Sequence, residues 1–312
     1  MATRLQFKKS LAFKMKLKAT YLRSIAARKN PGIEMRPFIV TGPPRSGTSL
    51  MTALLARKTN VLVANEPVVV GDPLLAMGKP ERLLKGYMVG MARKAVQEGR
   101  FTTKVDPDQS DRATTDTANR GALRSDVTIE LDRNQPLCTG IKHPVSFMEF
   151  LEELVTGWND LKVIAIVRQP GPTIRSWRET TYGWQPGLDG PNEGLQRRMY
   201  REIPQTDNAL ARRAHLWTLM VERAETWAAK RPDQVLMFRY EELLEHPGPI
   251  MRRLYEHIRA PQPDVAIDVS DVSPQNRPAY KGFTDEEAEI IESICGEADR
   301  RTRETCRLIP AG

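Results

Sequence analysis

The chain has 312 residues, of which 40% are hydrophobic and 28% are charged, a composition that suits one large α/β domain or two small ones. Its net charge is +8, but residues 1–36 carry ten lysines or arginines and one acid, which leaves 37 basic and 38 acidic residues elsewhere. The rest of the chain is therefore close to neutral, and its charge gives no support to nucleic-acid binding by the folded part.

The first predicted region is a basic N-terminal extension, residues 1–36. Lysines at positions 14, 16 and 18 interrupt its apolar residues, so it lacks the apolar stretch of a signal peptide. No segment of the chain approaches the roughly 18 consecutive apolar residues of a membrane span. Two interpretations stay open for the extension: a flexible or packed basic segment, and a basic amphipathic helix in weak peripheral contact with an anionic membrane.

Strands and helices are predicted to alternate along the rest of the chain. The strands are expected at 38–41, 61–64, 127–131, 137–141, 162–167 and 235–238, and the helices at 50–57, 73–97, 145–156, 171–181, 210–230, 240–258 and 285–303. This alternation predicts a three-layer α/β/α fold with a central, mostly parallel sheet. Two polar stretches, 102–124 and 183–206, are expected to be irregular loops that shape a binding site.

Three cysteines bear on the cellular compartment. Cys138, Cys295 and Cys306 are too few and too odd in number for a disulfide framework, and their spacing is not that of a zinc site. They indicate reduced thiols and a cytoplasmic protein.

A glycine-rich loop follows the first predicted strand and opens the first helix. Its sequence is Gly42-Pro43-Pro44-Arg45-Ser46-Gly47-Thr48-Ser49, which matches the phosphate-loop pattern except that Thr48 replaces the lysine. The backbone N–H groups of residues 45–49 and the positive end of the helix predict an anion site. Arg45 adds a charged fork, and Thr48 and Ser49 add hydroxyls. The alternative is a proline-rich turn that merely starts a helix.

A second candidate site follows the strand at 162–167. This strand places Arg168 at its carboxyl end, where open α/β sheets bind ligands. Ser176 lies eight residues later, about two turns along the next helix. Together they predict a grip on a second phosphate group, although an arginine at a strand end also forms ordinary salt bridges.

These motifs resemble those of the sulfotransferases that use 3′-phosphoadenosine 5′-phosphosulfate (PAPS) as donor. Residues 42–49 are similar to the family's 5′-phosphosulfate loop, in which residues 44–49 would bind the donor, and Arg168 and Ser176 are similar to its 3′-phosphate pair. Residues 235–243 resemble a strand and "RYEDL" segment of the bacterial and Golgi-type branch, which includes tyrosylprotein and carbohydrate sulfotransferases. The sequence departs from the pattern at Gln169, where Asp or Asn is usual, and residues 277–282 echo the glycine-rich C-terminal motif only in part.

The resemblance implies a sulfotransferase domain at 37–312 that binds PAPS, releases adenosine 3′,5′-bisphosphate (PAP) and needs no metal. Lys142 resembles the family lysine that contacts the leaving and transferring oxygens. Glu66, after the second predicted strand, is the first candidate for the catalytic base, and His143 is its rival. Arg45 is expected to meet charge on the leaving group, and Ser273 is a further candidate contact near the sulfuryl group.

Two other function classes stay open at this point. A phosphate-loop nucleotide kinase or NTPase would need the missing lysine and a magnesium-holding acid. A module that binds a nucleotide without catalysis would need no base, and both Glu66 and His143 are present. The acceptor is a hydroxyl or amine on a sugar, lipid, peptide or small metabolite that the sequence does not identify.

Overall fold

A computed structural model describes residues 32–67, 70, 79–106, 109–113, 123–179, 196–261 and 279–306. The strands are β1 Met35–Thr41, β2 Val61–Asn65, β3 Arg100–Asp106, β4 Gln109–Ala113, β5 Leu123–Thr128, β6 Leu137–Lys142, β7 Lys162–Val167 and β8 Val235–Arg239. The helices are α1 Thr48–Leu55, α2 Pro80–Glu98, α3 Pro144–Glu149, α4 Leu151–Gly157, α5 Pro170–Glu179, α6 Gln196–Glu202, α7 Ala209–Lys230, α8 Tyr240–Glu245, α9 Pro247–His257 and α10 Asp285–Thr305.

The central sheet has five parallel strands in the order β2-β6-β1-β7-β8. Its strands are buried on both faces because helices cover both, as expected for a parallel sheet. In β1, Phe38 and Val40 face α1, α8 and α9, whereas Ile39 faces the layer that contains α2, α5, α7 and α10. The predicted three-layer α/β/α fold is confirmed.

Most predicted elements lie where the sequence placed them, and two predicted helices are divided. The strand 162–167 matches β7, and the helix 210–230 matches α7. The expected helix 240–258 is two helices, because Pro247 has no N–H and begins a new helix at that point. The expected helix 145–156 likewise divides into α3 and α4 at Phe150.

The prediction of an irregular loop at 102–124 is wrong for its described part. Strands β3, β4 and β5 form an antiparallel sheet in the order β4-β3-β5, and β5 replaces the strand expected at 127–131. The Thr103 hydroxyl accepts a hydrogen bond from the Asn65 backbone N–H at 3.0 Å and donates one to the Val63 carbonyl at 3.3 Å. This contact satisfies backbone groups along the exposed edge of β2 and fixes the small sheet beside the large one.

Some predictions fall outside the described residues. These are the extension up to residue 31, Ser273 with Arg277 and Pro278, and the part of the expected acceptor loop at 183–195. The described part of that expected loop, residues 196–206, contains α6. The boundary at residue 36 stays a prediction. No helix in the described ranges is both long and apolar enough to cross a membrane.

A carboxyl group is buried where α3, α6 and α7 meet. Glu149 ends α3, and its side chain is fully buried, with Arg198 Nε 4.0 Å from its Oε1. Burial raises the pKa of Glu149 to about 7, although the Arg223 and Arg198 guanidinium groups oppose that change. The Glu149 carboxyl therefore keeps its proton in the folded protein at pH values where the same group has lost it in the unfolded chain.

We expect Glu149→Gln to remove a pH dependence of stability. Between the unfolded pKa of a glutamate, about 4.3, and about 7, the folded state holds the extra proton, so this group's contribution to stability falls as the pH rises. The melting temperature of the variant should therefore gain on wild type as the pH rises from about 5 to about 8. Exposed Glu152→Gln is the control; an equal pH trend in both variants would contradict the assignment.

Candidate active site

The loop between β1 and α1 passes so close to its neighbours that two of its positions require glycine. Gly42 has φ 134°, and an added Cβ would lie 2.0 Å from the carbonyl oxygen of Ile166. Gly47 has φ 88°, and its Cβ would lie 2.2 Å from the Tyr240 ring. Both glycines of the sequence motif are therefore needed for the path of the loop as well as for its backbone conformation.

The loop and the start of α1 present polar groups that an anion would satisfy. Gly47 is the N-cap of α1, and no side chain caps it within the described structure. The Ser46 hydroxyl is buried and has no hydrogen-bond partner there. The first turn of a helix leaves N–H groups without intrahelical partners, and the helix dipole favours negative charge at this end. The residues present therefore fit a phosphate or sulfate group.

The structure brings Arg45, Arg168 and Ser176 together, whereas the sequence analysis paired Arg168 with Ser176 and placed Arg45 at the leaving group. Arg45 Nε donates to the Ser176 hydroxyl at 2.9 Å, and Arg168 Nη1 donates to the Arg45 carbonyl at 3.2 Å. The Arg168 guanidinium also lies over the Tyr240 ring, 4.9 Å from its centroid. Two guanidinium groups and a hydroxyl thus stand at the carboxyl ends of β1 and β7, beside the loop. The Arg45 side chain contacts this group, and its charge also acts on Lys142.

Two tryptophans, one on α5 and one on α7, donate hydrogen bonds to backbone carbonyls at the same edge of the sheet. The Trp177 indole N–H donates to the Pro44 carbonyl at 2.7 Å, and that of Trp217 donates to the Arg168 carbonyl at 3.1 Å. Both side chains are fully buried. The positions of the loop and of Arg168 are therefore fixed by α5 and α7.

Glu66 and Lys142 form an ion pair at the carboxyl ends of β2 and β6. The parallel register places Asn65 beside Lys142, and the Glu66 backbone N–H donates to the Lys142 carbonyl at 2.8 Å. Glu66 has φ 44°, a left-handed conformation that is costly for a residue with a side chain and is found mostly where function requires it. Lys142 Nζ is 2.5 Å from Glu66 Oε1 and 3.2 Å from the Ser49 hydroxyl.

Lys104 of β3 is a residue of this site that the sequence analysis missed. Its Nζ is 2.5 Å from Glu66 Oε2, so each carboxylate oxygen faces one ammonium group. Phe101, Thr103 and Val105 are aromatic or β-branched residues at strand spacing, and they were the sequence signal for a strand here. The polar composition of the segment obscured that signal.

The two lysines decide the charge state of Glu66. Burial opposes ionisation of Glu66, but the ammonium groups of Lys142 and Lys104 outweigh it and hold the pKa of Glu66 well below its usual range. Lys142 is 2% exposed, and its burial lowers its own pKa although Glu66 acts in the opposite direction. Glu66 is therefore a stable carboxylate in this state.

His143 follows Lys142 and is the N-cap residue of α3. Its Nε2 lies 3.4 Å from the Ser146 hydroxyl, and its backbone N–H donates to the Val40 carbonyl at 3.2 Å. The structure thus places both candidate bases at the same edge. Among the described residues, no group of three or more His, Cys, Asp or Glu side chains is arranged to hold a metal ion.

A family model described as "Sulfotransferase family" matches residues 37–264. The chain belongs to the sulfotransferase family. Enzymes of this family transfer a sulfuryl group, and the motifs at residues 42–49, 168–176 and 235–243 lie within the match. The PAPS-dependent resemblance drawn from the sequence is therefore confirmed at the level of the family.

Solved sulfotransferases have similar structures at low identity. The sulfotransferase from Alicyclobacillus acidocaldarius is 14% identical with a TM-score of 0.46, covering 87% of this chain and 96% of that chain. A sulfotransferase from Mycobacterium avium is 15% identical with a TM-score of 0.42, and the match covers 92% of this chain and 84% of that chain. A mouse sulfotransferase solved with PAP is 12% identical with a TM-score of 0.44, covering 91% of each. No curated protein sequence matches the chain.

We expect Gly47→Ala to destabilise this sulfotransferase by about 2 kcal/mol or more, because the new Cβ would meet the Tyr240 ring and the left-handed backbone would be strained. Gly90→Ala is the matched control. Gly90 lies within α2 with nothing within 4 Å of its Cβ position, so alanine should stabilise the helix by about 0.5–1 kcal/mol. Urea denaturation of the two variants measures both effects; equal changes would show that the loop tolerates a side chain.

Proposed function

We propose that this sulfotransferase uses PAPS as its donor and transfers the sulfuryl group to a hydroxyl or amine of its acceptor. The observation that carries the proposal is the presence of two separate cationic groups along one sheet edge. Arg45 and Arg168 lie beside Ser176, and Lys142 lies beside Ser49 at the start of α1. PAPS carries two anionic ends, a 5′-phosphosulfate and a 3′-phosphate, which suit two such groups.

In this proposal, residues 44–49 bind the 5′-phosphosulfate through backbone N–H groups, the Ser46 hydroxyl and the dipole of α1. Arg168 and Ser176 bind the 3′-phosphate, since guanidinium and hydroxyl groups make charge-assisted hydrogen bonds to phosphate. Arg45 bridges the two regions, because its backbone lies in the loop and its side chain contacts Ser176. The close approach of the loop to Ile166 and Tyr240 keeps these donors in fixed positions.

Lys142 and Glu66 divide the chemistry between them. When bound, PAPS would supply the sulfuryl group: the acceptor oxygen or nitrogen would form a bond to sulfur while the bond from sulfur to the bridging oxygen breaks on the opposite side and releases PAP. Lys142 stabilises the negative charge that builds on the bridging oxygen of the leaving group, because its ammonium stands beside Ser49. Glu66 accepts the proton of the acceptor hydroxyl.

The ion pair explains how a carboxylate with so low a pKa can act as a base. Each oxygen of Glu66 is neutralised by one lysine in this structure. When Lys142 turns toward the charge of the donor, Glu66 loses one of its two cations and its pKa rises. Binding of the donor thus prepares Glu66 to take the proton of the acceptor.

We also propose a cytoplasmic location, supported by three cysteines that are all buried and free. A weak membrane contact through the basic extension and the absence of a nucleic-acid partner stay proposals drawn from the sequence. The two folding units predicted there, 1–36 and 37–312, stay proposals as well.

Thermal shifts test the donor. PAP should stabilise the protein strongly, because binding to the folded state alone raises its melting temperature, whereas ATP with magnesium should have little effect. Arg168→Ala should weaken PAP binding by about tenfold or more, since it loses a charge-assisted phosphate contact. Arg252→Ala, on the exposed face of α9, is the control. An equal or greater response to ATP with magnesium would favour a kinase or NTPase instead.

Glu66→Gln should lower kcat by about 10²–10⁴-fold, because the variant cannot accept the proton, while PAP affinity stays nearly intact. An acceptor found by screening with radiolabelled PAPS provides the assay. His143→Asn is the comparison variant, and a larger loss of kcat in that variant would make His143 the base. A Glu66→Gln enzyme with normal turnover would refute the assignment.

A companion variant, Lys104→Met, separates a base from a structural carboxylate. Removal of one ammonium group raises the pKa of Glu66, so the acidic limb of the kcat/KM profile should move to higher pH. Lys94→Met removes a lysine that pairs with Asp126 on the small sheet and should leave the profile unchanged. A profile that does not move in Lys104→Met would exclude Glu66 as the titrating base.

A further inference from the structure

An arginine occupies a core position of α7. The buried face of this helix consists of apolar residues at helical spacing except for one position, Arg213, which is 7% exposed. Leu210, Ala214, Trp217 and Met220 line the same face. Arg213 therefore points into the protein and not toward solvent.

Arg213 has no counter-charge in the part of the chain that the structure describes. Its Nε is buried without a hydrogen-bond partner, and no described carboxylate forms an ion pair with it. Arg178 and Arg212, both positive, act on its charge, and the Tyr200 side chain, which acts in the opposite direction, is not a carboxylate. Arg178 is itself paired with Glu287, and Arg212 donates to the Thr206 carbonyl. Because a guanidinium stays charged at any ordinary pH, this site calls for an anion.

The helix places Arg213 above the sheet edge that holds the active site. Helix α7 leads into β8, so its N-terminal part lies at the carboxyl ends of the parallel strands. Trp217 bonds to the carbonyl of Arg168 at that edge. Arg213 precedes Trp217 by four residues, which puts it about 6 Å further out along the helix axis on the same face.

The groups assigned to the donor contact one another or the α1 layer, and Arg213 is not among their partners. Lys142 contacts Ser49 of α1, and the Arg168 guanidinium lies on Tyr240, which packs with the α1 layer. Helix α7 belongs to the other layer, together with α5, which carries Ser176, and α3, which begins at His143. In an in-line transfer the acceptor and the leaving group are on opposite sides of sulfur, so an anionic acceptor needs a cation that the donor does not use.

We infer that Arg213 binds an anionic group of the acceptor, a phosphate, sulfate or carboxylate carried apart from the hydroxyl or amine that reacts. The inference rests on the proposed sulfuryl transfer, and it names the acceptor class as an anionic compound. Phosphate chemistry could also come from the donor. However, Arg45, Arg168 and Ser176 already form a phosphate-binding group of their own, in which Arg213 takes no part.

Inorganic phosphate is the probe, titrated into wild-type protein saturated with PAP and followed by calorimetry. Arg213→Met should weaken this phosphate binding by about tenfold or more while leaving PAP affinity within about twofold, because a charge-assisted contact is lost at one site only. The control is Arg212→Met, which removes the same charge from the adjacent residue and should bind phosphate within about twofold of wild type.

The melting temperature without phosphate distinguishes an anion-binding arginine from one that stabilises the fold. Without phosphate, Arg213→Met should melt at or above the wild-type temperature, because it replaces an unpaired buried charge by an apolar side chain. Arg213→Lys keeps the charge without the planar fork and should bind phosphate with intermediate affinity. A marked loss of stability in Arg213→Met without phosphate would contradict the inference.

The remaining outcomes separate this inference from the donor proposal. Phosphate binding in Arg213→Met equal to wild type would overturn it. A loss of PAP affinity in Arg213→Met as large as in Arg168→Ala would assign Arg213 to the donor instead. If PAP fails to bind wild-type protein, the donor proposal fails, and the phosphate titration without PAP still judges whether Arg213 forms an anion site.

Discussion

The burial of one ammonium group, that of Lys142, constrains much of the candidate site. A lysine that is 2% exposed loses most of its hydration, and only close counter-charges and hydrogen-bond acceptors can offset that loss. Glu66 supplies the charge from the neighbouring strand, and its left-handed backbone turns it back toward β6. The second oxygen of Glu66 then meets Lys104, which belongs to the small antiparallel sheet. Three separate parts of the fold thus meet around one charge.

This arrangement also accounts for the missing lysine of the phosphate loop. Thr48 stands where nucleoside-triphosphate enzymes have a lysine, yet an ammonium group still reaches the start of α1. It comes from β6, the strand that pairs with β1, instead of from the loop itself. A lysine supplied by a strand can pair with a carboxylate on the next strand, which a loop lysine could not do without leaving its phosphate. In our proposal, the same residue therefore couples donor binding to the base.

The sequence was sufficient for the central sheet and for most of the site because both produce strong local patterns. The β-branched run of β7 and the glycine loop each occupy a short window, and the parallel topology then brings Arg168 and Ser176 to Arg45. Lys104 and Arg213 could not be found in that way. Lys104 lies in a polar strand whose partner strands are equally polar, and Arg213 interrupts an apolar helix face that predicts only core packing. Their importance depends on tertiary neighbours.

Two tryptophans make the intrinsic fluorescence of the protein sensitive to the candidate active site. Trp177 and Trp217 are buried, and each indole N–H bonds to a carbonyl of a residue proposed to hold the donor, Pro44 or Arg168. Indole emission depends on the dipoles and hydrogen bonds around the ring. Any movement of the loop or of Arg168 on ligand binding therefore changes the environment of a fluorophore that the chain already contains. The sulfotransferase can report occupancy of its own site without a dye or a label.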